Sequence, residues 1–421
     1  MAVSKTTPRS EYLTAPQAAE LLDVKIPSLY SYVSRGLIRS VTQPGTRARL
    51  YFREDVERAA TRMGGRAGIP ETVESAVRWG QPVLTTSITD LSEGGPRYRG
   101  RPAIELARSG RSFESVAELL WTGVDVPDLL AWDASPPPSQ VLDGIEQAAR
   151  GSDALTGANL MSLATSVLAM AMSGKPDFER GTTAADAARL IRLHACAMGL
   201  LGPRKQVFRP ARALSIAQIL ARGLAGEDAA DARAAAINAA LVVCADHELS
   251  PATFAARVAA SAGADLGACL QAAIVTHSGI RFGGGCDRTE DLLRGVRSEQ
   301  ELQSLISAYV STGRQIPGFN PVSYPKGDPR ARYLIDLASS LPAGLGDQAL
   351  SGLATGPAGG DMLHPRIDVG LVSLAMGLGL PRGSASALWM IGRSAGWAAH
   401  AIEQRLAGFT MRPRAKYLSP V

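Results

Sequence analysis

A run of three glycines, Gly283 to Gly285, is the segment of this 421-residue sequence whose residue types and spacing best suit chemistry. It joins two helical patterns in the stretch 279-GIRFGGGCDRTEDLL-293. Glycines at such a boundary let the main chain approach a ligand closely, so Gly283 and Gly284 predict a binding loop. Phe282, directly before the run, has no side-chain proton to give or take. Cys286 borders the loop, whereas the other cysteines lie in Ala-rich helical patterns.

The positive charge is concentrated at the amino terminus. Residues 1–66 contain eleven Lys and Arg against six Asp and Glu, which is a net charge of +5. The whole chain also has a net charge of +5, so the remaining residues are neutral in sum. The amino-terminal segment is therefore where we expect a polyanion to bind.

Several classes of protein are disfavoured by the composition. The four cysteines lack the paired spacing of a zinc or redox site. The longest apolar run, residues 160–172, contains Ser and Thr and is shorter than the roughly 20 residues of a membrane span. No basic and then apolar leader is present at the amino terminus. We expect a globular cytoplasmic protein with no membrane contact, no metal and no other cofactor.

Two short helices joined by a tight turn are predicted near the amino terminus. Ala18, Ala19, Leu21 and Leu22 form one apolar face, and a second helical pattern over residues 26–34 has a proline in its first turn. A Pro-Gly turn between β-capable residues follows, and then a third helix from Glu54. This order predicts a helix-turn-helix domain over residues 1–62, with a linker at 63–70.

The segments LTAPQAAELLDV, LYSYVSRGLI and RARLYFREDV resemble the winged helix-turn-helix of the MerR and excisionase group. In such domains the second helix enters the major groove and the wing lies along phosphates. The resemblance implies groove contacts from Ser28, Tyr32 and Arg35, and phosphate contacts from Arg39, Arg47 and Arg49. The alternative is that this domain serves dimerisation or docking.

After the linker the sequence is rich in Ala, Leu and Gly with helical spacing, which predicts a large, mainly α body. One long helical pattern covers residues 252–275, and a β-hairpin is predicted near residues 84–98. Five stretches of this body, in order, resemble the citrate synthase family. They are 84-LTTSITDLSEGGPRYRGRPAIELA, 246-DHELSPATFAARVAASAGADL, 279-GIRFGGGCD, 318-GFNPVSYPKGDPRA, and 365-PRIDVGL with 393-RSAGWAAHAIEQ and 412-RPRAKY.

The resemblance implies a helical homodimer in which each protomer has two domains around a cleft. The large domain would comprise residues 71–279 and 377–421, and the small domain residues 280–376. Closure of such a cleft excludes water and assembles the reacting groups.

The resemblance also implies roles for individual residues. Asp368 matches the base that removes a proton from an acyl-CoA thioester, the acyl-CoA being a substrate. The residues that match the holders of the carboxylates of a 2-oxo acid acceptor are His247, Arg330, Arg393 and Arg412. Guanidinium groups suit this task because they bind carboxylates with paired hydrogen bonds.

Two histidines of the family pattern are absent. Phe282 occupies the position of the one that hydrogen-bonds the thioester oxygen, and Pro321 that of the one that polarises the keto group. Neither side chain donates a hydrogen bond, and each lost donor costs about 10²–10³ in rate.

Three readings follow. A neighbouring donor such as Asn320 or His277 takes over, and the protein is an acyltransferase of citrate synthase type with a divergent site. Alternatively, the cleft is a sensor for a carboxylate or acyl-CoA and controls DNA binding. In the third reading the chain is the inactive partner of a homologous subunit.

Overall fold

A computed structural model describes the chain in segments, and all structural statements below concern them. The described residues are 10–34, 37–43, 48–64, 84–127, 131–132, 137–152, 155–171, 174–211, 213–226, 230–279, 284–296, 298–341 and 363–413. Phe282, Gly283, Arg35 and Arg47 therefore lie outside the described residues.

The amino-terminal domain is a helix-turn-helix with a small sheet. Its elements are β1 (Tyr12–Thr14), α1 (Ala15–Leu21), α2 (Ile26–Ser34), β2 (Ser40–Thr42), β3 (Arg49–Phe52) and α3 (Arg53–Gly64). The main-chain N–H of Thr14 donates to Gln17 Oε1 at 3.0 Å at the start of α1, and Asp23 takes a left-handed conformation, φ 53°, in the turn before α2. The sheet is antiparallel in the order β1-β3-β2. The predicted bounds of the second helix are confirmed.

The body is helical apart from the predicted hairpin. Its sheet contains β4 (Thr89–Ser92), β5 (Gly95–Tyr98) and β6 (Arg101–Pro102). Its α-helices are Ala103–Arg108 (α4), Phe113–Thr122 (α5), Ser139–Ala149 (α6), Gly157–Ala171 (α7), Asp177–Arg180 (α8), Thr183–Ala197 (α9), Ile216–Ala225 (α10), Ala230–Cys244 (α11), Pro251–Ser261 (α12), Leu266–His277 (α13), Gly285–Arg294 (α14), Glu299–Ser311 (α15), Pro329–Ser339 (α16), Ile367–Gly377 (α17) and Ser384–Ala407 (α18). A 3₁₀ turn, Met198–Leu200, follows α9.

The prediction of a single helix over residues 252–275 is wrong, because the structure has two helices there, α12 and α13. Gly263 takes φ +81°, a left-handed conformation that ends helices readily. Two residues later the Asp265 carboxylate accepts the N–H of Ala268 at 2.8 Å and caps α13. The resulting α12–α13 hairpin sets where His277, the last residue of α13, lies.

The last long helix, α18, forms the centre of the body. Trp397 on this helix is fully buried. Gly396 allows α18 to lie directly against the main chain of Ala245, because a Cβ at this position would lie 2.6 Å from the Ala245 carbonyl oxygen. Its N–H donates to that oxygen at 2.9 Å. This contact holds the turn that carries Asp246 and His247 directly against α18.

Two further findings concern the described segments. No helix within them is long and apolar enough to cross a membrane. Nor do their His, Cys, Asp and Glu side chains come together in a group of three that would hold a metal ion.

Candidate active site

Asp368 lies in the first turn of α17 and is 7% exposed. Arg366 Nε donates to one carboxylate oxygen at 3.0 Å, and the Cys286 thiol donates to the other at 3.6 Å. Gly285 packs so closely that a Cβ there would lie 2.5 Å from Asp368 Oδ1. The carboxylate is thus fixed on three sides, and a helix N-terminus favours its negative charge.

This arrangement explains the described part of the glycine run. Gly284 takes φ +66° as the N-cap residue directly before α14, and Gly285 leaves the space that Asp368 occupies. Burial raises the pKa of the Cys286 thiol well above its ordinary value, and Asp368 adds to this. Cys286 is therefore a protonated donor to the carboxylate. Sequence reasoning missed Arg366, although it stands only two residues before Asp368.

His247 follows α11 in a turn and is a neutral imidazole. Its Nε2 lies 3.1 Å from the Tyr324 hydroxyl. Burial lowers the pKa of His247 well below its ordinary value, and the neighbouring cations Arg330 and Arg393 lower it further. Burial also raises the pKa of Tyr324 to about 12, so both partners are uncharged at neutral pH. Sequence reasoning also missed Tyr324, although this residue lies within the stretch 318-GFNPVSYPKGDPRA.

Arg330 is the second residue of α16 and forms a buried ion pair. Its Nε and Nη2 donate to the two oxygens of Asp328 at 3.0 and 2.7 Å. Both side chains are at most 5% exposed. Although burial opposes it, Asp328 raises the pKa of Arg330 above its ordinary value. The remaining N–H groups of Arg330 are what it can offer to a ligand.

Arg393, on α18, is buried without such a partner. The nearest carboxylate oxygen, Oδ1 of Asp246, is 3.6 Å from Nη1, which is beyond hydrogen-bond distance. Its Nε has no hydrogen-bond partner among the described residues. The guanidinium carbon lies 5.4 Å from the centre of the Trp389 ring. Burial accordingly lowers the pKa of Arg393.

His277, the last residue of α13, lies near Arg393 and Asp368. Its ring stacks on Trp389 with centroids 4.1 Å apart and planes at 11°. Burial lowers the pKa of His277 to about 4, and Arg393 contributes while Asp368 opposes the shift. The cluster of Asp368, His247, Arg330 and Arg393 therefore contains a second neutral imidazole, that of His277, and an aromatic ring fixes its plane.

The other predicted residues of the cleft lie at its edge or away from it. Asn320 has φ 56°, and its side-chain oxygen accepts the N–H of His364 at 3.0 Å, so this oxygen is used by the main chain. Pro321 is buried next to it. Arg412 is exposed after α18, where the N–H of Met411 donates to Ser261 Oγ. Arg412 is therefore at the surface, whereas Arg330 and Arg393 are buried.

The predicted DNA contacts have mixed outcomes. Ser28 and Arg49 are exposed, and Tyr32 is half-buried against the core of the amino-terminal domain. The prediction for Arg39 is wrong, because its guanidinium is only 8% exposed and is paired with Asp55 at 2.7 Å. A buried, paired arginine cannot also reach a phosphate.

Comparisons with known proteins agree with this fold. The family described as "Citrate synthase, C-terminal domain" matches residues 77–414, and "Helix-turn-helix domain" matches residues 12–63. Citrate synthase 2 of Bacillus subtilis (strain 168) is 26% identical over 364 residues, which are 81% of this chain and 95% of that protein. Putative citrate synthase 2 of Mycobacterium tuberculosis (strain H37Rv) is 34% identical over 193 residues, 44% of this chain and 51% of that protein.

Solved structures show the same fold. The ternary complex of citrate synthase from Thermoplasma acidophilum with carboxymethyl coenzyme A and oxaloacetate has a TM-score of 0.67 at 21% identity. The similarity covers 81% of this chain and 94% of that one.

Proposed function

Since this chain belongs to the citrate synthase family, we propose that it is an acyl-CoA-dependent acyltransferase that forms a carbon–carbon bond with a 2-oxo acid. The observation that carries the proposal is Arg393, a buried cation whose Nε lacks a hydrogen-bond partner among the described residues. Native proteins satisfy buried donors, and a carboxylate ligand would do so here with charge-assisted bonds. Asp368 in the same cluster supplies the base.

In the proposed reaction Asp368 takes a proton from the carbon next to the thioester carbonyl. The resulting enolate carbon bonds to the keto carbon of the 2-oxo acid, whose oxygen takes up a proton. Water then cleaves the thioester and releases the free CoA thiol, leaving a product with one more carboxylate than the acceptor. Arg366 and Cys286 keep the Asp368 carboxylate in one orientation throughout, because each hydrogen-bonds a different oxygen.

His277 is the proposed substitute for the missing hydrogen-bond donors. A neutral imidazole donates through N–H without needing a proton from solvent, and the low pKa of about 4 keeps His277 in that form at neutral pH. The Trp389 stack restrains the ring to its plane, which is the preorganisation that stabilisation of a developing oxyanion requires.

The acceptor's carboxylates are assigned to Arg393, to the remaining N–H groups of Arg330 and to His247. A protein of the same fold binds carboxymethyl coenzyme A and oxaloacetate, which supports this pair of ligand classes for the cleft. In a homodimer, the exposed Arg412 of one protomer is proposed to serve the cleft of its partner.

The test is release of CoA thiol. Purified protein receives acetyl-CoA or propionyl-CoA with each of a panel of 2-oxo acids, and thiol is measured against samples without acceptor. We expect release that disappears in Asp368→Asn. The matched control is Asp231→Asn, since that carboxylate is 74% exposed, pairs with Arg222 at 3.0 Å and lies at the end of α11 away from His247. Absence of release with every combination refutes the acyltransferase.

A second function is favoured by the fused helix-turn-helix, namely a carboxylate or acyl-CoA sensor that regulates transcription. Ser28 and Arg49 remain exposed for contact with DNA, and the amino-terminal segment holds the excess positive charge. A gel shift on DNA upstream of the protein's own gene should weaken in Arg49→Ala and respond to citrate or a CoA ester. No shift even at low salt would eliminate this function.

A further inference from the structure

The helix-turn-helix domain is docked on the body next to the cleft. The N–H of Glu11 donates to the Gly313 carbonyl at 3.0 Å, and the Glu11 carboxylate accepts the N–H of Gln315. A Cβ at Gly313 would lie 2.5 Å from Ser10 Oγ, so the two main chains are in close contact. Tyr12, Val41 and Phe52 pack with the hydrophobic core of the body rather than with that of their own domain.

Arg39 provides the contact nearest to the cleft. Its Nε and Nη2 bind the two oxygens of Asp55 at 2.7 and 2.9 Å, and its guanidinium lies 4.4 Å from the centre of the Phe52 ring. The third nitrogen, Nη1, donates to the main-chain carbonyl of Asn320 in the body. Asp55 therefore holds the guanidinium in place, and the guanidinium holds Asn320.

The Asn320 segment is in turn joined to the segment that carries Asp368. The N–H of Asn320 donates to the His364 carbonyl at 2.6 Å, and the N–H of Arg366 donates to the Gly318 carbonyl at 2.8 Å. Phe319 and Pro365 form an antiparallel bridge between these bonds. Asp368 follows two residues after Arg366, and Pro321 directly follows Asn320.

We propose that Arg39 is a positioning residue for the carboxylate cleft, so that docking of the helix-turn-helix domain and binding of a carboxylate in the cleft are linked. The inference rests on the proposed function in its choice of ligand. The contact chain from Arg39 through Asn320 and Arg366 to Asp368 carries the linkage. Such a linkage is reciprocal: whatever displaces the amino-terminal domain weakens carboxylate binding, and a bound carboxylate strengthens the docking by the same factor.

The first test is hydrogen exchange by mass spectrometry in the absence of ligand. The variant is the double substitution Arg39→Met with Asp55→Leu, which removes the contact to Asn320 without leaving a buried charge unpaired. We expect peptides containing residues 318–321 and 364–368 to exchange at least about tenfold faster, while the β3 strand keeps its protection. Arg209→Met, at an exposed arginine of the body that pairs with Asp143 and Glu146, is the matched control and should behave as wild type.

Unchanged exchange in these two segments, with β3 still protected, overturns the proposal. If the double variant loses its β3 protection, Glu11→Ala decides instead. This substitution is at an exposed residue and removes the carboxylate that binds Gln315. The same two segments should then exchange faster, and wild-type exchange overturns the proposal.

The second test is the affinity for oxaloacetate by calorimetry. We expect the double variant to bind at least about fivefold more weakly at an unchanged midpoint of thermal unfolding, which is the lower end of usual coupling strengths. Equal affinity in wild type, double variant and Arg209→Met overturns the linkage. If wild type does not bind oxaloacetate, the proposed carboxylate function fails, and the exchange experiment alone decides the positioning role of Arg39.

Discussion

Replacing Arg393 by methionine tests whether this arginine binds a ligand or stabilises the fold. Arg393 is buried, its closest carboxylate oxygen is 3.6 Å away and its Nε has no partner among the described residues. Burying a cation costs several kcal/mol unless its partners are well placed. Because burial of this cation is itself costly, and Asp246 keeps its contact with His400 and its bond from the Glu248 N–H, we expect Arg393→Met to lower the free energy of unfolding by no more than about 1–2 kcal/mol.

The effect on binding should be large. A carboxylate held by two charge-assisted hydrogen bonds gains about 3 kcal/mol or more from them. Their loss corresponds to an oxaloacetate affinity lower by about 100-fold or more. Calorimetric titration measures the affinity, and urea unfolding measures the stability of the same preparation.

Arg330→Met is the matched comparison. This arginine has the same burial but is bonded to both oxygens of Asp328, so its removal leaves a buried carboxylate unpaired. We expect a loss of about 3–5 kcal/mol in unfolding free energy. The reasoning is refuted if Arg393→Met is destabilised as strongly as Arg330→Met, or if it binds oxaloacetate with wild-type affinity.

Three further predictions concern single residues. His277→Phe keeps an aromatic ring but removes the N–H donor, so CoA release should fall by about 10²–10³ with the unfolding free energy little changed; wild-type turnover would assign the donor elsewhere. Gly285→Ala should abolish CoA release because its Cβ would displace the Asp368 carboxylate, whereas Gly94→Ala, whose nearest neighbouring atom is 3.8 Å away, should not. His194 is fully buried and its pKa is lowered to about 3, so the unfolded chain binds the proton first as pH falls below about 6.5. Between pH 7 and pH 5 this should remove about 2 kcal/mol of stability in urea titrations, and a His194→Gln variant should lose less over the same range.

The fold was predictable where the local signals agree with the tertiary environment. The helix Ile26–Ser34 has its proline and its apolar positions where the structure requires them, and its bounds were found from the sequence. The break between α12 and α13 was not, because Ala-rich spacing continues through it. The left-handed Gly263 and the cap from Asp265 were visible signals that the longer periodicity outweighed.

Part of the site was beyond sequence reasoning for a physical reason. Whether an arginine lies inside depends on partners far along the chain, and Arg39 meets Asp55 sixteen positions away and Asn320 in the other domain. The type and charge of Arg39 alone favoured a surface role. Cys286 was noticed beside the glycine run, but its bond to Asp368 joins two segments that are brought together only by packing of α14 against α17.

The charges of the proposed cleft indicate whether a single chain or a dimer is needed to bind a dicarboxylate. Arg330 and Arg366 each hydrogen-bond a carboxylate of their own, at 2.7 and 3.0 Å, whereas Arg393 lies 3.6 Å from the Asp246 carboxylate, beyond hydrogen-bond distance. An acceptor with two carboxylates therefore brings more negative charge than Arg393 alone balances. Arg412 is exposed and distant from its own His247, since the Ser261 end of α12 is about 16 Å along that helix from its start.

If Arg412 of a partner supplies the balancing cation, oxaloacetate affinity should depend on dimer formation. Titrations at protein concentrations above and below dimer dissociation, determined by light scattering, measure this dependence. Arg412→Ala should weaken binding in the dimer and have no effect on a monomer, because a monomer lacks the donated residue. Equal affinity in both states would mean that the cleft of one chain suffices, and that its ligand carries only the charge that Arg393 and the free N–H groups of Arg330 can bind.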